Sequence, residues 1–287
     1  MSFSHFRRIK SASIPETDTG LQYHLMIKSG DVAEYVLLPG DPDRVLKIAS
    51  YWDEYRVVSR HREYTTCTGR YKGVSISAVS TGIGAPSTAI AIEELLRVGA
   101  HTFIRVGTTA ALSRDIGLGD VIISVAAVRL EGTSKAYAPL EYPAFANYEV
   151  LLALIEAAET LGVNYHVGIA ASTDSFYVGQ ERPGYRGYMP PWSKGLINML
   201  RSLKVLNFEM EASVIFVLSS IYGVRAGSIC AAIANRETDE FSPGVGIDDA
   251  IKVANEAVKI LYEWDSIKRQ RRKTYLSPSI LIKHWHK

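Results

Sequence analysis

Arginine, glutamate, glutamine and glycine recur in short clusters along this 287-residue chain, in combinations suited to holding anions, diols and flat polar rings. In Pro39-Gly40-Asp41-Pro42-Asp43-Arg44, a glycine that exposes backbone N–H precedes an arginine placed in the first turn of a helix. Unpaired N–H groups at a helix start attract anions and a guanidinium adds a charge-assisted fork, so Gly40 and Arg44 suit a phosphate; a plain turn with a helix cap fits the same residues. Arg105-Val106-Gly107-Thr108-Thr109 sets an arginine inside an apolar stretch with two hydroxyls beyond a glycine. A buried guanidinium is costly unless paired, so Arg105 requires either an internal carboxylate or an anionic ligand. Ser80-Thr81-Gly82-Ile83-Gly84 is a third glycine- and hydroxyl-rich turn, without the spacing of a dinucleotide fingerprint.

Two later clusters add other chemistry. Phe176-Tyr177-Val178-Gly179-Gln180-Glu181-Arg182 brings together a ring, an amide and a guanidinium. Gln180 can donate and accept along one edge of a planar ligand, Arg182 can donate to a carbonyl and Phe176 offers a stacking face, although an ordinary surface loop has the same composition. Asn207-Phe208-Glu209-Met210-Glu211 sets two carboxylates two residues apart just before a run of small and apolar residues. Acids there serve as partners of a helix dipole; alternatively, one carboxylate accepts both hydrogen bonds of a sugar diol.

The elements between these clusters alternate. Tyr35-Val36-Leu37-Leu38 reads as a buried strand, residues 64–79 as a hairpin turning at Tyr71-Lys72-Gly73, and Ala89, Ile92 and Leu96 as a helix face. Residues 102–106, 121–125, 167–170 and 227–233 are further core strands, with helices at 149–161, at 210–222 and along Ile247, Ile251, Ala254, Val258 and Leu261. Such alternation predicts a single α/β domain whose central sheet carries helices on both faces, with functional loops at strand carboxyl ends.

Bulk properties exclude other classes. Hydrophobic residues make up 47% of the chain and charged residues 22%, the composition of a globular protein. No run of about 18 apolar residues and no signal-like start is present, so a cytosolic protein without membrane attachment is expected. Cys67 and Cys230 are far apart and lack metal-site spacing, so both are expected to be reduced and buried. Seven of the 32 Lys and Arg residues lie in 268–287, where there is no acid, leaving 25 against 30 acids in the body. A net-negative body argues against nucleic-acid binding, and the basic tail reads as a solvated end.

Taken in order, these clusters resemble the nucleoside phosphorylase superfamily over residues 21–265, and Gln180-Glu181-Arg182 resembles its uridine phosphorylase branch. The resemblance implies three parts: a 1–20 N-terminal extension, a 21–267 domain with a mixed, twisted sheet, and a 268–287 basic tail. It implies a pentosyltransferase that reversibly phosphorolyses uridine to uracil and ribose 1-phosphate, with inorganic phosphate as co-substrate and no organic cofactor. Phosphate is expected at Gly40, Arg44, Arg105 and Thr108, with Arg62 arriving from an adjacent subunit. Ribose is expected at Met210, Glu211 and Glu209, with the neighbour's His24 at the 5′ hydroxyl, and the base at Phe176, Gln180, Arg182 and Arg236. Arg44, Arg105, Glu211, Gln180 and Arg182 form the expected catalytic set.

The same resemblance implies a homohexamer, a trimer of dimers with shared sites, and a potassium ion at Glu63, Ile83 and Ser87. Purine-cleaving relatives carry an aspartate where this chain has Ile233-Ala234-Asn235-Arg236. Purine nucleoside phosphorolysis, hydrolytic nucleoside cleavage and nucleoside binding without turnover are the alternatives. Residues 183–195, six of them Gly or Pro, depart from the family pattern and suit either a stiff flap over the base pocket or a surface loop.

Overall fold

A computed structural model describes residues 11–285, with side chains to residue 281. The first ten residues of the expected N-terminal extension and the last two of the tail lie outside the described residues. Strand β1 (Tyr35–Leu38) is buried throughout. Tyr35 and Leu37 enter one apolar cluster and Val36 and Leu38 the other, because successive side chains of a strand point to opposite faces. A continuous apolar run therefore marks a strand covered on both sides.

Helix α1 (Pro42–Ala49) follows, begun by Pro42 and capped by Asp41, whose side chain accepts from Asp43 N at 2.9 Å. Such a cap contributes about 1 kcal/mol. Strands β2 (Glu54–His61), β3 (Tyr64–Tyr71) and β4 (Val74–Val79) form an antiparallel meander leading to α2 (Ala85–Arg97). Then come β5 (Thr102–Ala111), β6 (Val121–Leu130), α3 (Thr133–Tyr137), α4 (Tyr148–Leu161) and β7 (Tyr165–Thr173). After three single 3-10 turns between 178 and 193, the chain continues through α5 (Leu196–Ser202), β8 (Val205–Glu209), α6 (Ala212–Ile221), β9 (Arg225–Asn235), β10 (Glu240–Phe241), α7 (Ile247–Arg271) and α8 (Pro278–Trp285).

The ten strands form one mixed sheet in the order β10-β9-β6-β7-β8-β5-β1-β4-β3-β2. Because β5 also pairs with β9, the strands β5, β9, β6, β7 and β8 close into a ring. One face is covered by α1, α4 and α7, the other by α2 and α6. The α4 face packs very closely: a Cβ at Gly227 of β9 would lie 2.4 Å from Val150 Cγ1, so Gly227→Ala would push α4 off the sheet.

The boundary expected after residue 267 falls inside α7, which runs on to Arg271. Lys268 reaches Glu149 Oε2 at 2.5 Å and Asp265 Oδ1 at 3.0 Å. Beyond it, Leu276 N donates to Glu149 Oε1 at 3.1 Å, and Leu276 and Ile280 are buried. The start of the tail is therefore docked against α4 instead of solvated, because Lys268 meets Glu149 across the fold as well as Asp265 one helix turn back. Among the described residues no helix is long and apolar enough to cross a membrane.

Candidate active site

The carboxyl ends of β1, β5, β8 and β9 open into a cavity of about 640 Å³. Gly40, Arg44, Arg105 and Thr108 line one part, Glu209, Met210 and Glu211 another, and Phe176, Gln180 and Arg182 a third. All five segments picked out by residue type thus meet in one place. Cys67 and Cys230 are both free and buried, Cys230 next to Gly107, where a Cβ would stand 2.7 Å from its Sγ.

Arg105, Glu209 and Glu211 are 5%, 2% and 3% exposed, and they pair with one another. Arg105 Nη2 lies 2.5 Å from Glu211 Oε2. Its Nε is 2.9 Å from Glu209 Oε2, an ion-pair distance, although the N–H is not aimed along that line. Burial works against the charge on Arg105, but the carboxylates, Glu211 first, outweigh it and hold the guanidinium above its ordinary value. Burial raises the Glu211 carboxyl, with Glu209 adding to the rise and Arg105 opposing it. Room for the guanidinium comes from Gly107, where a Cβ would stand 2.9 Å from Arg105 Cζ.

The two acids do different work. Glu209 Oε2 accepts from Glu211 N and Ala212 N, both at 2.7 Å, and Oε1 accepts from the Ser172 hydroxyl. Expected at the ribose, Glu209 is saturated by protein donors and caps α6. Glu211 keeps more freedom: its Oε1 accepts from Gly84 N at 2.6 Å, a group presented by the glycine turn at 82–84. Thr109 fixes the register, donating to Phe208 O at 2.5 Å and accepting from Asn207 Nδ2 at 2.7 Å.

Arg44 is the cation left over. Its Nη1 donates to Val106 O at 3.2 Å, and among the described residues no carboxylate pairs with it. Burial, then the neighbouring Arg105 charge, push its value below that of a free guanidinium, with Asp41 opposing. Thr108 also lines this corner, and its hydroxyl has no hydrogen-bond partner among the described residues. Two guanidiniums, a hydroxyl and Gly40 thus share one corner of the cavity, a combination whose chemistry suits an anion.

At the other end, Gln180 is buried and its Nε2 donates to Thr173 Oγ1 at 3.1 Å. Arg182 Nη1 donates to Gln180 Oε1 at 2.5 Å and to Phe176 O at 2.9 Å, with its Cζ 4.2 Å from the Phe176 ring centre. Burial, then Arg236, lower Arg182 to about 10, so it stays charged at neutral pH. Arg236, expected beside the base, is not a lining residue; it donates to the backbone carbonyls of Gln180 (2.7 Å) and Glu181 (3.2 Å), because those oxygens face it across the turn.

Tyr185, Tyr188 and Trp192 are 84%, 60% and 82% exposed, and no residue of 183–195 lines the cavity. In this structure that segment runs over the surface and does not cover the cavity. The wall there comes instead from Ile233, Ala234 and Phe241, the last on a two-residue strand too short to leave a pattern in sequence. Glu63, Gly82 and Ile83 also line the cavity.

Neither His24 nor Arg62 reaches the cavity of its own chain. His24 Nδ1 is 2.7 Å from Glu94 Oε1, and Arg62 Cζ stands 5.5 Å from the Tyr23 ring centre. Glu63, Ile83 and Ser87 meet around Gly82: a Cβ there would touch Glu63 Cγ at 2.8 Å and Ser87 Oγ at 3.2 Å, while Ser87 Oγ lies 3.5 Å from Ile83 O. Among the described residues there is no cluster of three His, Cys, Asp or Glu side chains able to hold a metal.

Comparison with known proteins agrees with this geometry. A family model described as phosphorylase superfamily matches residues 34–263. Uridine phosphorylase of Thermococcus kodakarensis is 60% identical over 270 residues, covering 94% of this chain and 97% of that protein. Uridine phosphorylase of Escherichia coli is 41% identical, covering 84% and 95%. Guanosine phosphorylase of Halorubrum lacusprofundi is 41% identical, covering 75% and 83%. Matched across most of its length by the family model and by these relatives, the chain belongs to the phosphorylase superfamily.

Proposed function

We propose that this protein is a uridine phosphorylase, a pentosyltransferase that reversibly converts uridine and inorganic phosphate to uracil and ribose 1-phosphate. One observation carries the reading: a single cavity contains an unpaired Arg44 beside Arg105, a buried Glu211 and the Gln180–Arg182 pair. A dianion, a diol and a planar amide ring are the three parts of that reaction, and the site has a complement to each.

Phosphate bound between Arg44, Arg105, Thr108 and Gly40 is placed to attack the sugar C1′. As the bond to N1 of the base lengthens, positive charge grows on the sugar and negative charge on the pyrimidine. Glu211, through its free lone pairs, holds the 2′ and 3′ hydroxyls against the apolar Met210. Arg182 and Gln180 receive the charge on the departing base, an electrostatic effect worth about 3 to 4 kcal/mol for a single donor. No covalent intermediate with the chain is needed, since positioning supplies the remainder.

Residues 233–241 contribute Ile233, Ala234 and Phe241 to the wall and no carboxylate, which favours a pyrimidine over a purine that must be protonated. The guanosine phosphorylase among the relatives gives the purine reading its own support. Comparing kcat/KM for uridine and guanosine at saturating phosphate decides between them: uridine should be preferred, and preference for guanosine would move the protein to the purine branch.

His24 and Arg62, which lie outside their own cavity, are assigned to the cavity of a neighbouring subunit in a cytosolic homohexamer. The oxygen donors Glu63, Ile83 O and Ser87 suit a hard monovalent cation such as potassium. Such an ion would steady the 82–84 turn that holds Glu211 and would take no part in bond breaking.

A further inference from the structure

The turn that presents Gln180 and Arg182 is held from outside the cavity by the residue between them. Glu181 has φ 54°, left-handed backbone that a non-glycine residue keeps only where its surroundings over-determine it. Unlike its two neighbours, it does not line the cavity. Its carboxylate instead accepts from Gly195 N at 2.7 Å and Ile197 N at 2.8 Å, where α5 begins. The Ser193 hydroxyl donates to Val178 O, adding a second tie from the same segment. Behind the turn, Arg236 holds the carbonyls of Gln180 and Glu181.

The C-terminal end of the 183–195 loop is thus fastened to the base-reading turn, although the loop's aromatic rings point to solvent. The amide of Gln180 can meet a ring edge only if the turn keeps its place, since Gln180 Nε2 and Oε1 are already aligned on Thr173 and Arg182. A small displacement of such a preorganised pair weakens recognition strongly. We propose that Glu181 is a positioning residue for base recognition, clasping the start of α5 so that the 183–195 loop sets the register of Gln180 and Arg182 without touching the base. This rests on the reading of the cavity as a nucleoside site.

The test is Glu181→Gln, which keeps the shape but removes the charge and one acceptor, made alone and together with Gln180→Ala. The KM for uridine should rise about tenfold, the equivalent of 1.4 kcal/mol. The KM for phosphate, whose ligands lie at the other end of the cavity, and the melting temperature should stay at their starting values. In the Gln180→Ala background the further substitution should raise uridine KM by clearly less than it does alone, the remainder acting through Arg182. An unchanged uridine KM, a parallel rise in both KM values with a lower melting temperature, or a full multiplicative effect beside Gln180→Ala would each overturn the proposal. Should Gln180→Ala by itself leave uridine KM unaltered, the nucleoside reading fails first, and Glu181 loses the residue it acts through.

Discussion

Replacing Arg44 with Met separates binding from folding more cleanly than any other change in the cavity. The guanidinium is half-buried, makes one hydrogen bond to Val106 O at 3.2 Å, and has its charge disfavoured by burial. Its loss leaves no carboxylate stranded, so the melting temperature should hold or rise slightly, within the roughly 0.5 kcal/mol typical of such substitutions. A hydrogen bond between ionised groups is worth about 1.5 to 3 kcal/mol, so kcat/KM for phosphate should fall about 10- to 150-fold. Phosphate at a hundred times its Kd stabilises the native protein by about 2.7 kcal/mol, whereas a fifty-fold weaker site at the same concentration gives only about 0.6 kcal/mol. Thermal unfolding with and without phosphate, together with phosphate saturation kinetics, reads both effects. If the variant keeps the full phosphate-induced shift and an unchanged phosphate KM, Arg44 does not hold the anion and the assignment of this corner is refuted.

Other substitutions divide by what they leave behind. Glu211→Gln should lower kcat/KM for uridine more than for 2′-deoxyuridine, since only the former presents both hydroxyls to the carboxylate; equal losses would remove Glu211 from the sugar. Glu209→Ala strips the α6 cap and one partner of the buried Arg105, so it should destabilise by about 3 to 5 kcal/mol, seen as a loss of roughly 6 °C or more in melting temperature. Asp265 and Glu149 show a pH effect: burial alone would raise both, but bonds from Arg225 and Lys268, with Tyr35 on Asp265 and the Leu276 N–H on Glu149, outweigh it and lower them. Carboxyls lowered in the folded state stabilise it above their unfolded values near 4 and lose that contribution as pH falls through the folded ones. The melting temperature should therefore drop from pH 5 downward, and Asp265→Asn should make that drop shallower.

Much of the cavity was legible because its residues follow strands that advertise themselves. Tyr35–Leu38 is apolar at every position since both faces are covered, and an arginine such as Arg105 stands out in such a stretch. The acid pair was visible, but its division of labour was not. Glu209 ends β8 and caps α6, whereas Glu211 opens into the cavity, a difference set by backbone direction at the strand end. That also moves the helix start from the expected 210 to 212.

What stayed hidden has short or mixed patterns. β2 carries exposed polar and apolar residues together, and β10 has only two residues, so neither shows alternation, and Phe241 came with no signal. The tail looked solvated because the acids that hold Lys268 are a helix turn and a hundred residues away. Arg236 was placed at the base by the resemblance, whereas its partners are carbonyls of residues 180 and 181.

The most direct test of the account is the sugar product formed from uridine with and without inorganic phosphate, identified by chromatography. Uracil with ribose 1-phosphate, appearing only when phosphate is present, is the predicted result. Release of uracil with free ribose in the absence of phosphate, or no release at all, would contradict it.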